Sequence, residues 1–284
     1  TESQKAVEKR EALEKDKPTK TKNEIRHSVL TQKKKRAMKK PTTTLIAIAG
    51  LAAGILFPTF RAAARDPQAN KLEVNVGADI VSGYVWRGVY QEGSGVSVQP
   101  SLGIEYKGFS IGAWGSTSLS GGFKELDLSV GYEIAGFTIQ ATDYWWAGQG
   151  ASFYNHYFDS HLIEGALGYH FGEKVPLSLE WHTFFAGNLD KDAAGKRKYS
   201  SYVQIGYDFE IKGIEFTAAV GAAPWNAPAW LTPHGDKKGF QISNISLTAS
   251  KKIRITDHYS LPVFVQAVAS PATDDANLIF GISF

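Results

Sequence analysis

From Lys71 to the end of the chain, apolar side chains recur at every second position, the period of a strand whose two faces meet different surroundings. Val96, Val98, Leu102, Ile104 and Tyr106 alternate with Ser97, Gln99, Ser101, Gly103 and Glu105. Leu126, Leu128, Val130, Tyr132 and Ile134 oppose Asp127, Ser129, Gly131 and Glu133, and Val203, Ile205, Tyr207, Phe209 and Ile211 oppose Gln204, Gly206, Asp208 and Glu210. No stretch of this region has the spacing of an amphipathic helix. About twelve strands are predicted, near 71–87, 95–107, 109–119, 124–135, 137–147, 158–172, 174–186, 199–212, 214–223, 239–253, 259–269 and 274–284. Most exceed the roughly 9 to 11 residues that a tilted strand needs to cross a hydrocarbon layer. Alternation fails around Asp143 to Trp146 and around Ile242 to Ile245, where bulges or an early exit from the membrane are expected.

The connections alternate in length. Short turns are expected at Lys107-Gly108, Ala135-Gly136, Gly172-Glu173, Lys212-Gly213 and Thr256-Asp257-His258; long loops at Val89–Ser94, Gly148–Tyr157, Gly187–Lys198 and Ala222–Lys238. Aromatic residues gather at both ends of the strands: Tyr106, Phe109, Tyr132, Phe137, Phe171, Phe209, Tyr259 and Phe284 near the short turns, and Tyr84, Trp86, Trp145, Trp146, Tyr199 and Trp225 toward the long loops. Two-faced strands, alternating loop lengths and two aromatic girdles together predict an all-β fold: a transmembrane, antiparallel, up-and-down β-barrel in a Gram-negative outer membrane, with short turns on the periplasmic side. A soluble β-sandwich would have shorter strands and more charge on its solvent face.

Charge divides the chain. Residues 1–64 carry 15 Lys+Arg and 6 Asp+Glu, a net +9, whereas residues 65–284 carry 16 and 22, a net −6. The basic excess lies in a segment with the layout of a secretory signal, so nucleic acid is not expected as a partner. Lys39-Lys40 is followed by an apolar run from Leu45 to Phe57 and by Ala62-Ala63-Ala64. That run is shorter than the roughly 20 residues of a membrane-spanning helix, which favours cleavage after Ala64 over a permanent anchor. Met38 is the only methionine, so translation is expected to begin there. Three regions are therefore predicted: a charged extension, 1–37, either outside the translated protein or a disordered arm; a signal peptide, 38–64; and the barrel, 65–284. The chain has no cysteine, so an exported fold must hold without disulfides. Leu278, Phe280, Ile282 and Phe284 alternate outward to a terminal aromatic and resemble the signal that outer-membrane proteins present to the barrel-assembly machinery. That machinery, periplasmic chaperones and the lipid bilayer are the expected partners.

The stretch Asp79-Ile80-Val81-Ser82-Gly83-Tyr84-Val85-Trp86-Arg87-Gly88-Val89-Tyr90-Gln91, with Gly112-Ala113-Trp114-Gly115-Ser116 after it, resembles the opening of the Gcw_chp family of bacterial exported proteins. The resemblance covers about the first fifth of the region after the signal and implies a barrel of unknown role.

On the face opposite the apolar one, acids predominate: Glu73, Asp79, Glu105, Asp127, Glu133, Glu164, Glu180, Asp208, Glu210 and Glu215, with Arg87, His170, His182 and Lys252 as counter-charges. Charge facing lipid is costly, so these side chains are expected to line a lumen. Rings of carboxylates favour cations, which points to a porin-like channel for small polar or cationic solutes. A network of paired charges that closes the interior of a structural or adhesive barrel stays open, because twelve strands lie between filled and hollow barrels. The loop Pro224-Trp225-Asn226-Ala227-Pro228-Ala229-Trp230 is apolar for an exposed connection, so Trp225 and Trp230 are expected to fold inward as a constriction or to meet a ligand. His258-Tyr259-Ser260 resembles the His-x-Ser of lipid A deacylases but has no carboxylate at a spacing that would orient the histidine, so no enzyme is expected. His156 and His161 near Asp159 fit a solvated loop better than a metal site, and no cofactor signature occurs.

Overall fold

The computed structural model describes residues 71–146 and 152–284. Expectations for residues 1–70, including the extension, the signal and its cleavage, lie outside the described residues.

Twelve antiparallel strands close into a barrel, each paired with its neighbours in sequence: β1 (Glu73–Val81), β2 (Ser97–Tyr106), β3 (Phe109–Ser118), β4 (Lys124–Ile134), β5 (Phe137–Trp146), β6 (His161–His170), β7 (Leu177–Ala186), β8 (Ser201–Ile211), β9 (Ile214–Ala223), β10 (Gln241–Arg254), β11 (Ser260–Ser270) and β12 (Asp275–Ser283). β1 returns to β12 through a short seam, Asp79–Val81 against Gly281–Ser283, which closes the sheet. Closure leaves no open edge, so the backbone hydrogen bonds that a cysteine-free chain depends on are made strand to strand.

The tight turns follow from local chemistry. Lys107-Gly108, Ala135-Gly136 and Lys212-Gly213 each place both residues at positive φ, the two-residue geometry that matches the twist of a hairpin and that glycine accepts without strain. The outward face is apolar: Val74, Val76, Ile104, Ile111, Val130, Ile139, Leu167, Ile205, Val220, Leu247 and Leu278 are all exposed. At the short-turn end, outward aromatics pair across strands, Phe109 on Tyr132 at 4.5 Å and Phe137 on Tyr169 at 4.4 Å.

Three expectations need correction. The run 71–87 is not one strand: β1 stops at Val81, and residues 82–96 turn into the barrel around a two-residue hairpin, Val85-Trp86 against Val89-Tyr90. Tyr84, Trp86 and Trp146 therefore do not belong to an outer girdle. Tyr84 and Trp86 are buried inside the lumen, and Trp146 packs against them. The irregularity at Ile242–Ile245 is a bulge, with a register shift opposite Gly221/Ala222, but β5 keeps its register through Asp143 to Trp146. Alternation fails there because Asp143 points outward, and its carboxylate is satisfied by the Tyr157 hydroxyl and by His161 Nδ1 at 2.9 Å.

Candidate functional site

The inserted hairpin is the centre of the site. Arg87 and Gly88 form its tip with φ of 55° and 81°, the same turn geometry as at the opposite end of the barrel. The tip crosses the lumen. Arg87 reaches Glu164 on β6, and the Gly88 backbone lies against the carbonyl of Ser243 in the β10 bulge.

Arg87 Nη2 donates to both oxygens of Glu164, at 2.8 Å and 2.6 Å. The Tyr144 hydroxyl donates to Glu164 Oε1 at 3.0 Å, and the two nitrogens of His182 lie 3.0 Å from Glu164 and 3.2 Å from Glu180. Two carboxylates thus meet a guanidinium and an imidazole that faces both, so the cluster balances its charge when the ring carries two protons. Aromatic faces surround the guanidinium: its carbon is 4.2 Å from the Trp86 ring centre, 5.0 Å from Tyr202 and 5.5 Å from Trp230. Such contacts contribute roughly 2 kcal/mol or more when desolvated.

A second insert meets the first. In the loop between β9 and β10, Ala227, Trp230 and Leu231 are buried against Trp86, Tyr144, Leu162, Phe184 and Tyr202, with Trp230 edge-on to Trp86 at 6.2 Å. Trp230 lies in the lumen. Trp225 does not: it is 38 % exposed, rests on Trp181 at 5.7 Å and donates its N–H to the Tyr199 carbonyl. The apolar loop divides because a plug residue and an outer residue can both be aromatic.

Register places Glu73, Asp79, Glu105, Asp127, Glu133, Glu164, Glu180, His182, Asp208, Glu210 and Glu215 on the inward face of the wall. They form two tiers. Toward the short turns Glu73 faces Glu105 and Glu210 faces Glu215 across neighbouring strands, in partly or fully exposed positions. Under the plug, Asp127 and Glu164 are sealed from solvent. His170 also points inward, and its Nδ1 accepts the Gly172 N–H at 2.9 Å. Lys252 is exposed at the short-turn end. Phe280 and Ile282 alternate to the outer face, and Phe284 extends the seam by hydrogen bonds with Ala78 in both directions.

The remaining candidates do not gather. Asp257, the carboxylate nearest in sequence to His258, pairs with Arg254 instead. His161 is buried between Asp143 and the Phe153 carbonyl, while Asp159 accepts from Asn188. Among the described residues no group of three or more His, Cys, Asp or Glu could hold a metal ion. Two residues escaped the sequence reading: Glu125, inward on β4, whose Oε1 accepts from Trp146 Nε1 at 2.5 Å, and Tyr144. Glu125 shares the parity of Asp127, which was the available signal.

A model of a bacterial protein family of unknown function, Gcw_chp, matches residues 64–228, more than half of the chain and all of the plug hairpin. The chain belongs to the Gcw_chp family. No curated protein matches the sequence. Solved structures of similar shape include the NanC porin, 9 % identical over 74 % of this chain and 98 % of that one with a TM-score of 0.40. An outer-membrane channel from Pseudomonas putida F1 is 14 % identical over 77 % and 97 %, TM-score 0.37, and Salmonella typhi OmpF, in complex with daunomycin, is 8 % identical over 78 % and 99 %, TM-score 0.31.

Proposed function

We propose that this Gcw_chp protein is an outer-membrane channel for small polar or cationic solutes, held closed at its external end by the hairpin at 82–96 and the loop carrying Trp230. The observation that carries the reading is the opposition of the two faces of one sheet. Strands of 9 to 14 residues are long enough to span a hydrocarbon layer, they are apolar outward, and they carry carboxylates inward from end to end. A purely structural barrel has no use for facing carboxylates such as Glu73 and Glu105, whose repulsion opposes folding and is relieved by cations in the lumen. Insertion would follow export and the barrel-assembly route, with Phe280, Ile282 and Phe284 as the recognised edge.

Planar-bilayer recording tests this together with a plug variant. Gly88 sits at a φ of 81° where a side chain is strained, and a Cβ there would overlap the Ser243 carbonyl, so Gly88→Ala displaces the hairpin tip. Expected are brief, cation-selective steps for the native barrel and longer or larger ones for the variant, with the reversal potential in a KCl gradient on the potassium side. Electrical silence of both, in barrels that remain folded and heat-modifiable, would favour the structural or adhesive role; anion selectivity would overturn the charge argument.

A further inference from the structure

The two buried acid clusters under the plug differ in one respect. Glu164 and Glu180 are matched by Arg87 and His182. Glu125 and Asp127, side by side on the inner face of β4 and 3 % and 0 % exposed, pair with no cationic side chain among the described residues. Trp146 donates to Glu125 Oε1, and the remaining oxygens of the two acids face each other and the Tyr84 hydroxyl, with no well-formed hydrogen bond from any other described residue. The Tyr84 hydroxyl, 1 % exposed, faces both carboxyl groups and lies within hydrogen-bonding reach of Glu125. Carboxylates buried without a cation are costly, and a cation placed against them relieves that cost.

The number of oxygens narrows the compensating group. The two carboxyl groups can accept the three donors of a primary ammonium. They are too few for calcium or magnesium, which take six or more oxygen ligands. The surroundings are aromatic: Tyr84 lies 5.5 Å from Trp114, the residue directly across from Asp127 on β3, and Trp146 lies 5.6 Å from Trp86. Aromatic walls around carboxylates in a site closed to water recognise organic ammonium ions. We infer that Glu125 and Asp127 form the binding station of the channel for the primary ammonium group of a small organic solute, roofed by Tyr84 of the plug. This names the solute class and rests on the channel reading above.

The test uses the full-length barrel in detergent micelles, where Trp114 and Trp146 report on the site by fluorescence and no conductance is needed. Titration with 1,4-diaminobutane is expected to give a saturable change that KCl at equal ionic strength does not give. Asp127→Asn should weaken it by about tenfold or more, and Glu125→Gln likewise. Both substitutions remove a charge that lacks a partner, so the barrel should stay heat-modifiable. An absent or unsaturable response, an equal response to KCl, or an unchanged response in both variants would overturn the inference. Bilayer recording of the same preparation separates the two claims: potassium conductance without diamine binding sinks the station alone, and diamine binding in a silent barrel sinks the channel alone.

Discussion

Arg87 bears the largest local load, because one side chain neutralises Glu164, occupies an aromatic cage and anchors the hairpin tip. Removing one partner of a buried ion pair typically costs about 3–5 kcal/mol, since the other is left charged without compensation. Arg87→Ala should therefore unseat the plug and raise the open probability in single-channel records. Arg87→Ala with Glu164→Gln should lie closer to the native barrel than the single change; an unaltered record for Arg87→Ala would show that the pair is not the latch. A different residue reports on the outer loop between β7 and β8. Asp192 is held below its ordinary value of 3.8 first by the hydrogen bond from Lys198 and then by the Lys196 backbone N–H. A lowered carboxylate stabilises its surroundings above the ordinary value and loses that contribution as pH falls through the lowered one. The Lys196 amide resonance should accordingly titrate with a midpoint below 3.8, and a midpoint at or above it would contradict the loop geometry. Parity alone pointed Arg87, Glu164 and His182 into the lumen, but their mutual contact joins positions 77 residues apart, which no local pattern encodes. Glu125 was passed over because it sits next to Lys124 at a strand end, where alternation begins and carries least weight.

Among the elements, the wall was legible and the plug was not. Period-two patterning and the X-Gly turns sufficed to mark twelve strands, because each wall strand meets two solvents. The hairpin at 85–90 has the same period and an Arg-Gly tip chemically equivalent to Lys107-Gly108, so the sequence does not separate a strand in the wall from one folded into the lumen. Only tertiary burial does so, and aromatics such as Trp86 fit an outer girdle and a plug equally well by composition. The seam is the weakest joint of the wall, since β1 and β12 pair over three residues with one further hydrogen-bonded position at each end, Ala78 with Phe284 and Ser82 with Phe280, while β10 and β11 pair over ten. Amides of Ala78, Ile80 and Ile282 should then exchange with deuterium faster than those of Leu247 to Ser250. Slower exchange at the seam than at β10–β11 would mean that closure is tighter than this register implies.

For the whole molecule, the account rests on a sheet that separates lipid from an acidic interior with two tiers, one open toward the short turns and one sealed under aromatic rings. The chain contains no cysteine, so single cysteines can be read without background. The most direct measurement is their labelling along β2 in reconstituted membranes, at Ser101 and Glu105 on the inner face and at Leu102 and Ile104 on the outer. A charged, water-soluble maleimide should modify Ser101→Cys and Glu105→Cys, and only a lipid-soluble reagent should reach Leu102→Cys and Ile104→Cys. Equal modification of all four by the charged reagent would contradict the account, because the outer face would then lie in water.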